Sequence, residues 1–250
     1  MTTLGSLIYA IRIHALRVHF MDQRRQAGIL FLPFALATGV LTGQAIPSGN
    51  SASAATVTFT LDFPQSDPTH YSIAVDESGH TTYECTVKAD EDSEPRTYRT
   101  EFEVTARTRE RIFEWTKQAK FFSGKIDSGN RKLALTGEKE LTYQDGQRST
   151  TARYNFSNLD PVRQLTALFQ NMAGTLDYGR RLDYYHRYQK LALDDELKRM
   201  EEQAKNNELS EIQGVAPVLQ EILDDTSVMN VARARAKELM QMASTTLPGR

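Results

Sequence analysis

The chain has 250 residues with 30 basic and 32 acidic side chains, which gives a formal charge of −2 at neutral pH. A balance this close to zero argues against general electrostatic binding of nucleic acid. With Cys85 as its single cysteine, the chain has neither a disulfide framework nor a zinc site built from thiolates. Cys85 lies in a strand-like alternation, which predicts a small buried side chain.

Residues 1–54 have the pattern of an export signal followed by a linker. Met21 opens a short basic segment that contains Arg24 and Arg25. An uncharged apolar run follows over residues 27–41, and it is shorter than the stretch of about 20 residues that spans a membrane. We therefore predict a secretory signal, with Met21 as the true start of the protein and residues 1–20 as upstream sequence.

The linker at residues 48–55 is rich in serine, alanine and glycine, and it carries small residues two positions apart at Ala52 and Ala54. We predict cleavage after Ala54, and hence a periplasmic or extracellular protein; an uncleaved N-terminal membrane anchor is the alternative. Cleavage removes four arginines and one aspartate, which leaves a formal charge of −5. We expect no nucleic-acid partner, and membrane contact only through an uncleaved N-terminal segment.

Residues 55–174 predict an α+β domain, in which an antiparallel sheet built from β-hairpins is covered by amphipathic helices. Apolar and polar residues alternate in several short runs separated by turn residues, which is typical of half-buried strands. A first helix is expected after an N-cap at Thr105, with Trp115 buried on its apolar stripe. A second helix is expected to begin at Asp160 and to end at Gly174. The runs lie near residues 57–63, 71–75, 83–87, 98–104, 141–143 and 152–156.

Residues 175–244 contain only helical patterns, and residues 245–250 are predicted to be a tail. Three amphipathic segments are expected over 179–206, 208–223 and 228–243, the first with a break near Asp194 and the last with Val231 on its buried face. Short links between such segments favour antiparallel packing. The prediction is therefore a C-terminal layer of about three α-helices, docked on the sheet domain or standing beside it.

The sequence contains no assembled catalytic, cofactor or metal signature. A glycine-rich phosphate loop and the common zinc-protease and serine-hydrolase motifs are absent. The acidic loop at residues 88–95 lacks the spacing of a calcium-binding EF-hand and is interpreted as solvated. His70 lies close to Asp67 in the sequence and could pair with it as a base. No catalytic residue, cofactor or metal is therefore predicted, and an exported hydrolase that uses this loop is the alternative function.

One stretch, residues 177–190, interleaves tyrosine with arginine, a combination enriched at recognition surfaces. Tyr184 and Tyr185 point about 100° apart on a helix, so one narrow face cannot bury every tyrosine. The alternative is that Tyr185 and Tyr188 pack inward while the arginines pair with neighbouring aspartates. The candidate recognition surface comprises Tyr178, Arg180, Arg181, Tyr184, Arg187 and Tyr188.

These patterns together predict an exported, non-catalytic binding or interaction module of the cell envelope. Rigid aromatic rings and forked cationic donors suit an envelope protein or a glycan as partner.

Overall fold

The computed structural model describes residues 54–88, 94–130 and 132–246. Residues 245 and 246 are described by their backbone only. The predicted export signal and linker, apart from Ala54 and Ala55, lie outside the described residues, as do most of the acidic loop and the final four residues of the predicted tail. All described residues belong to one compact unit.

Six antiparallel strands form one sheet in the order β4-β3-β2-β1-β5-β6. The predicted α+β architecture is therefore confirmed. The strand that follows the linker, β1, lies inside the sheet because it pairs with both β2 and β5. The strands are β1 (Thr56–Asp62), β2 (His70–Asp76), β3 (His80–Val87), β4 (Arg96–Glu103), β5 (Glu138–Gln144) and β6 (Ser149–Tyr154).

One face of the sheet carries the core, as the period-two alternation predicts. Phe59 on β1 and Ile73 on β2 are fully buried, and Cys85 on β3 is buried as expected. The Phe59 ring stacks on the Phe169 ring of a covering helix, with centroids 5.4 Å apart and planes inclined by 4°. Burying side chains of this size stabilises the fold by about 1.5–3 kcal/mol each, so this contact is a main attachment of helix to sheet.

The first helix, α1, spans Ala106–Gln118 and begins at the predicted N-cap, where the Thr105 hydroxyl accepts a hydrogen bond from the Thr108 N–H at 3.3 Å. The sequence pattern predicts a helix that continues to about Phe122, but α1 ends at Gln118, because residues 120–122 adopt left-handed backbone angles and form a short 3₁₀ turn. Trp115 is only partly buried, which corrects the prediction of a buried tryptophan. Thr116 takes the fully buried position beside it.

The second helix, α2, spans Asp160–Tyr188, so the predicted end at Gly174 is wrong. Glycine disfavours a helix interior by about 1 kcal/mol, but packing on both sides overrides so small a preference. Nearly every residue from Met172 to Gly179 is buried, because α2 lies between the sheet and the C-terminal helices. The proposed division of residues 55–174 from 175–244 as domains remains a prediction, and its boundary falls inside this continuous helix.

Three further helices follow α2: α3 (Leu193–Lys205), α4 (Ala216–Asp224) and α5 (Asn230–Thr246). They contact α2 or one another and form the predicted C-terminal layer. The helical path is interrupted at residues 189–192, between α2 and α3 and just before the predicted break at Asp194. Two details are corrected: Val231 is exposed while Ala232 and Ala236 are buried, and α5 includes the first two residues of the predicted tail.

Candidate functional site

A cavity of about 640 Å³ opens between the C-terminal half of α2 and the edge of the sheet where β3 ends and β4 begins. This volume falls within the range of about 300–1,000 Å³ that is usual for small-molecule sites. We call it the tyrosine–arginine cavity. Its lining consists of Asp67, Val87, Lys88, Arg96, Thr97, Tyr98, Arg180, Arg181, Asp183, Tyr184, Tyr185, Arg187 and Tyr188.

All members of the sequence-predicted recognition surface except Tyr178 line this cavity. Tyr178 is buried, and the Arg181 guanidinium lies over its ring at 4.5 Å from the centroid. Burial raises the pKa of the Tyr178 hydroxyl. Its inclusion in an exposed surface is therefore corrected: Tyr178 supports Arg181 from beneath instead of facing solvent.

Two tyrosines one helical turn apart present their rings at the cavity rim. Tyr184 is 48% exposed and Tyr188 is 70% exposed, and their centroids are 5.3 Å apart. Tyr185 packs partly against the core and meets Tyr184 edge to face at 5.7 Å. The alternative in which Tyr188 packs inward is thus wrong, whereas the inward position expected for Tyr185 is partly realised. An exposed aromatic pair remains at the rim.

The arginines of α2 are held by carboxylates, as the alternative interpretation predicted. Asp177 is buried and pairs with both Arg180 and Arg181. The Nε of Arg181 also donates to the buried Glu196 of α3 at 2.6 Å. Arg187 pairs with Asp183 at 2.7 Å, and this hydrogen-bonded carboxylate raises the pKa of the guanidinium. These contacts fix the positions of the guanidinium groups, which makes them rigid donors for a ligand.

Arg180 retains one donor that its carboxylate does not satisfy. Its Nε donates to Asp177 Oδ1 at 2.8 Å. Its Nη2 lies 2.7 Å from the same oxygen but without the alignment of a hydrogen bond, and 3.6 Å from Asp67. Among the described residues this buried nitrogen has no hydrogen-bond acceptor. Buried donors without acceptors are rare in folded proteins, which makes Arg180 Nη2 a candidate donor to a ligand.

The opposite wall comes from the sheet and was not identified from the sequence. Lys88 follows β3, while Arg96 and Tyr98 lie on β4. Within the described ranges neither Lys88 nor Arg96 forms an ion pair, and residues 89–93 of the acidic loop between them lie outside those ranges. Burial raises the pKa of Tyr98, which therefore stays a neutral hydroxyl. Tyr98 begins the predicted strand at residues 98–104, but only the sheet order brings it opposite α2.

Positive charge accumulates in the cavity although the exported chain is expected to be acidic. Asp67 and Asp183 are the two acidic residues of its lining. A cleft lined by one sign of charge concentrates ligands of the opposite sign. The cavity is therefore suited to an anionic group attached to a flat-faced ring. The five cationic residues of its lining are Lys88, Arg96, Arg180, Arg181 and Arg187.

The structure does not pair His70 with Asp67, the two residues of the hydrolase alternative. His70 opposes Asp62 across β1 and β2, and its Nδ1 lies 3.8 Å from Asp62 Oδ2. Asp67 instead lies near Arg180 and lines the tyrosine–arginine cavity, whose lining does not include His70. The expected base and its carboxylate are thus directed to different partners.

A second polar cluster joins the end of α2 to the turn before α5. Lys190 Nζ lies 2.6 Å from the Ser227 hydroxyl, which resembles the spacing of a serine–lysine pair. Asp225, however, lies 2.5 Å from the same ammonium. A serine nucleophile needs a general base beside its hydroxyl, and here the Lys190 nitrogen is engaged by the Asp225 carboxylate instead. The cluster therefore links helices and has no catalytic geometry.

Two further properties concern the described residues as a whole. They contain no group of three or more histidine, cysteine, aspartate or glutamate side chains that could hold a metal ion. None of their helices has both the length and the hydropathy needed to cross a membrane. Comparison with known proteins adds no identification, since neither a protein-family model nor a curated protein matches the chain.

Proposed function

We propose that this chain is an exported, non-catalytic binding module of the cell envelope that holds its ligand in the tyrosine–arginine cavity. The observation that carries the proposal is the meeting of exposed tyrosine rings with an excess of cationic over acidic side chains in one cavity. Aromatic and arginine side chains dominate the energetics of recognition sites. Carboxylates on α2 and α3 hold the three α2 arginines of the cavity, so these side chains lose little conformational entropy when a ligand binds.

The location is supported by the N-terminal sequence alone, through the basic segment, the apolar run and the small residues that end at Ala54. N-terminal peptide mapping of the natural protein tests it. We expect the first peptides to begin at Ala55 and to come from the envelope fraction. Recovery of peptides from residues 1–20 in the soluble cytoplasmic fraction contradicts export.

The binding function is tested by a triple variant, Tyr184→Ser, Arg187→Gln and Tyr188→Ser, used as bait in an envelope extract beside the unaltered protein. These side chains are exposed, so we expect the free energy of unfolding to change by no more than about 0.5 kcal/mol while capture of the natural partner is lost. The control variant removes three exposed charges of α1 that are not part of the cavity lining, and it should capture the partner normally. It carries Arg107→Gln, Arg111→Gln and Lys117→Gln.

If the triple variant loses more than about 1 kcal/mol and still captures everything that the unaltered protein captures, the three residues serve packing and the proposal is wrong. Unfolding in urea, followed by the change in circular dichroism, measures the stability of each variant independently of binding.

A further inference from the structure

We infer that the ligand of the tyrosine–arginine cavity is an acidic saccharide, a chain of sugar rings that carries carboxylates. This inference rests on the proposed binding function and adds the chemical class of the ligand. It depends on three features of the cavity: where the unused cationic donors lie, where the exposed rings lie, and which side chains are scarce in the lining.

The cavity offers cationic donors from both walls to one anionic group. Arg180 Nη2 is buried on the helical wall without an acceptor among the described residues. Arg96 and Lys88 line the sheet wall, and neither forms an ion pair within the described part of the chain. Guanidinium groups match the planar geometry of a carboxylate and bind it more strongly than neutral donors do. A carboxylate is thus the anionic group that this set of donors fits best.

The exposed rings suit sugars. Tyr184 and Tyr188 project from successive turns of α2, with centroids 5.3 Å apart and planes inclined by 49°. Each ring offers a flat apolar surface of the kind that packs against the C–H face of a sugar ring. The inclination between the two planes favours two linked rings, one on each tyrosine, over a single flat aromatic ligand that spans both.

The acidic side chains of the lining favour a sugar ligand over a phosphate ligand. Asp67 is largely exposed and lies at the cavity, and Asp183 lines it beside Tyr184. Sugar hydroxyls donate hydrogen bonds that carboxylates accept. The same groups repel a doubly charged phosphate more strongly than a singly charged sugar carboxylate, so a hydroxyl-rich ligand with single negative charges fits better than a nucleotide.

The lining also disfavours an acidic peptide. Val87 is its only aliphatic side chain, and every other lining residue is charged, a tyrosine or a threonine. Peptide-binding grooves supply apolar pockets for alternate side chains of the bound strand. Tyrosine faces surrounded by hydroxyl, carboxylate and guanidinium groups match a ligand whose polar and apolar surfaces alternate around each ring.

Isothermal titration of the protein tests the inference, after expression with its complete N-terminal segment and purification from the cell. The probes are short galacturonic acid oligomers, maltose oligomers of equal length, a glutamate-rich peptide and uridine diphosphate. We expect the galacturonic acid oligomers to bind about tenfold or more tightly than the maltose oligomers, and increasing salt to weaken this binding.

The variants identify the carboxylate site. Arg96→Gln should weaken binding of the galacturonic acid oligomers about tenfold and leave the maltose oligomers unaffected, because it removes a charge-assisted hydrogen bond. Arg107→Gln is the matched control, since it removes an exposed arginine of α1, away from the cavity, and should change neither affinity. Arg96 is exposed at the start of an edge strand, so its replacement leaves folding intact.

The titrations and the capture experiment together distinguish an error in the ligand class from an error in the proposed binding function. Equal affinity for acidic and neutral sugars contradicts the inference that the ligand carries a carboxylate. Tighter binding of the peptide or of uridine diphosphate contradicts the inference that the ligand is a saccharide. Binding of none of the probes, while capture of an envelope partner still depends on Tyr184 and Tyr188, overturns the ligand class and leaves the binding function standing. If capture does not depend on those tyrosines, the binding function itself is wrong.

Discussion

Glu211 caps the helix that begins after Thr105, although 106 residues separate the two along the chain. Its Oε2 accepts the Thr105 backbone N–H at 2.7 Å, and its Oε1 accepts the Thr105 hydroxyl at 2.9 Å. The Thr108 hydroxyl donates to the same Oε1 at 2.5 Å. A carboxylate at a helix N-terminus also interacts favourably with the helix dipole. The segment before α4 is thereby attached to the junction of β4 and α1.

Replacing Glu211 with alanine should destabilise the protein by about 2–4 kcal/mol. Buried hydrogen bonds to a charged group contribute about 1.5–3 kcal/mol each, and the variant leaves the donors of Thr105 and Thr108 without an acceptor. Urea unfolding measures the free-energy change. Glu211 also has a left-handed backbone with φ of 59°, and alanine at the same angles relieves no strain that might offset the loss.

The matched control is Glu208→Ala, which removes an exposed glutamate from the same connection between α3 and α4. We expect it to change stability by no more than about 0.5 kcal/mol. Equal effects of the two substitutions contradict a capping role for Glu211.

The strands could be predicted because burial of one sheet face forces apolar residues to alternate. Val57 and Phe59, for example, show the period directly in the sequence. The order of the strands could not be predicted in this way. It places β1 beside β5, and this pairing joins Phe59 to Leu141 across a long stretch of intervening chain. No local pattern encodes such a pairing.

The error at Gly174 has a related cause. A glycine after an apolar stripe is a usual signal for the end of a helix, and the signal describes only local preference. Here α2 continues because the sheet and the C-terminal helices enclose it. The long-range contact of Glu211 with Thr105 could likewise not be predicted, since the local sequence around either residue carries no signal of the other.

The site was predicted in part, because local sequence patterns identify some of its residues and long-range packing decides the others. Local composition identified Tyr184, Arg187 and Tyr188, because tyrosine and arginine are unusually dense there. It also included Tyr178, whose burial depends on α3. Arg96 was missed because it joins the site only through the position of β4 at the edge of the sheet.

Substitution by alanine should have opposite effects on stability at the two glycines inside α2, because their surroundings differ. A Cβ on Gly179 would lie 2.5 Å from Val215 Cγ1 and 3.2 Å from its Cβ. We expect Gly179→Ala to destabilise by about 1–3 kcal/mol, because overpacking outweighs the better helix propensity of alanine. At Gly174 the nearest atom is a methyl of Leu209 at 3.6 Å, an ordinary contact. Gly174→Ala should therefore stabilise by about 0.4–1 kcal/mol.

A double variant identifies the cause. Val215→Ala removes the obstructing methyl groups, so Gly179→Ala should cost much less in its presence than alone, as measured by urea unfolding in a double-mutant cycle. Additive effects of the two substitutions contradict a direct clash. Because Gly179 precedes the arginines of the cavity, the clash should also displace Arg180 and weaken ligand binding, whereas Gly174→Ala should not.

Asp225 makes stability depend on pH through the cluster at the end of α2. Lys190 lies 2.5 Å from its Oδ2, and the His186 Nε2 lies 2.9 Å from the same atom. The Lys190 ammonium, followed by hydrogen bonds from Ser227 and His186, holds the pKa of Asp225 well below its usual range. The unfolded chain therefore takes up this proton near pH 4, and the folded protein takes it up only at lower pH.

The sign of the effect follows from the lowered pKa. Stabilisation by Asp225 is complete above about pH 5 and is lost as the pH falls through 4 towards the folded-state pKa. Asp225→Asn should therefore be less stable than the unaltered protein at pH 7, and should lose less stability between about pH 5 and pH 3. Urea unfolding at constant ionic strength across this range measures the slope. Glu202→Gln, an exposed change on α3, should retain the full slope, and an unchanged slope in Asp225→Asn excludes Asp225 as its source.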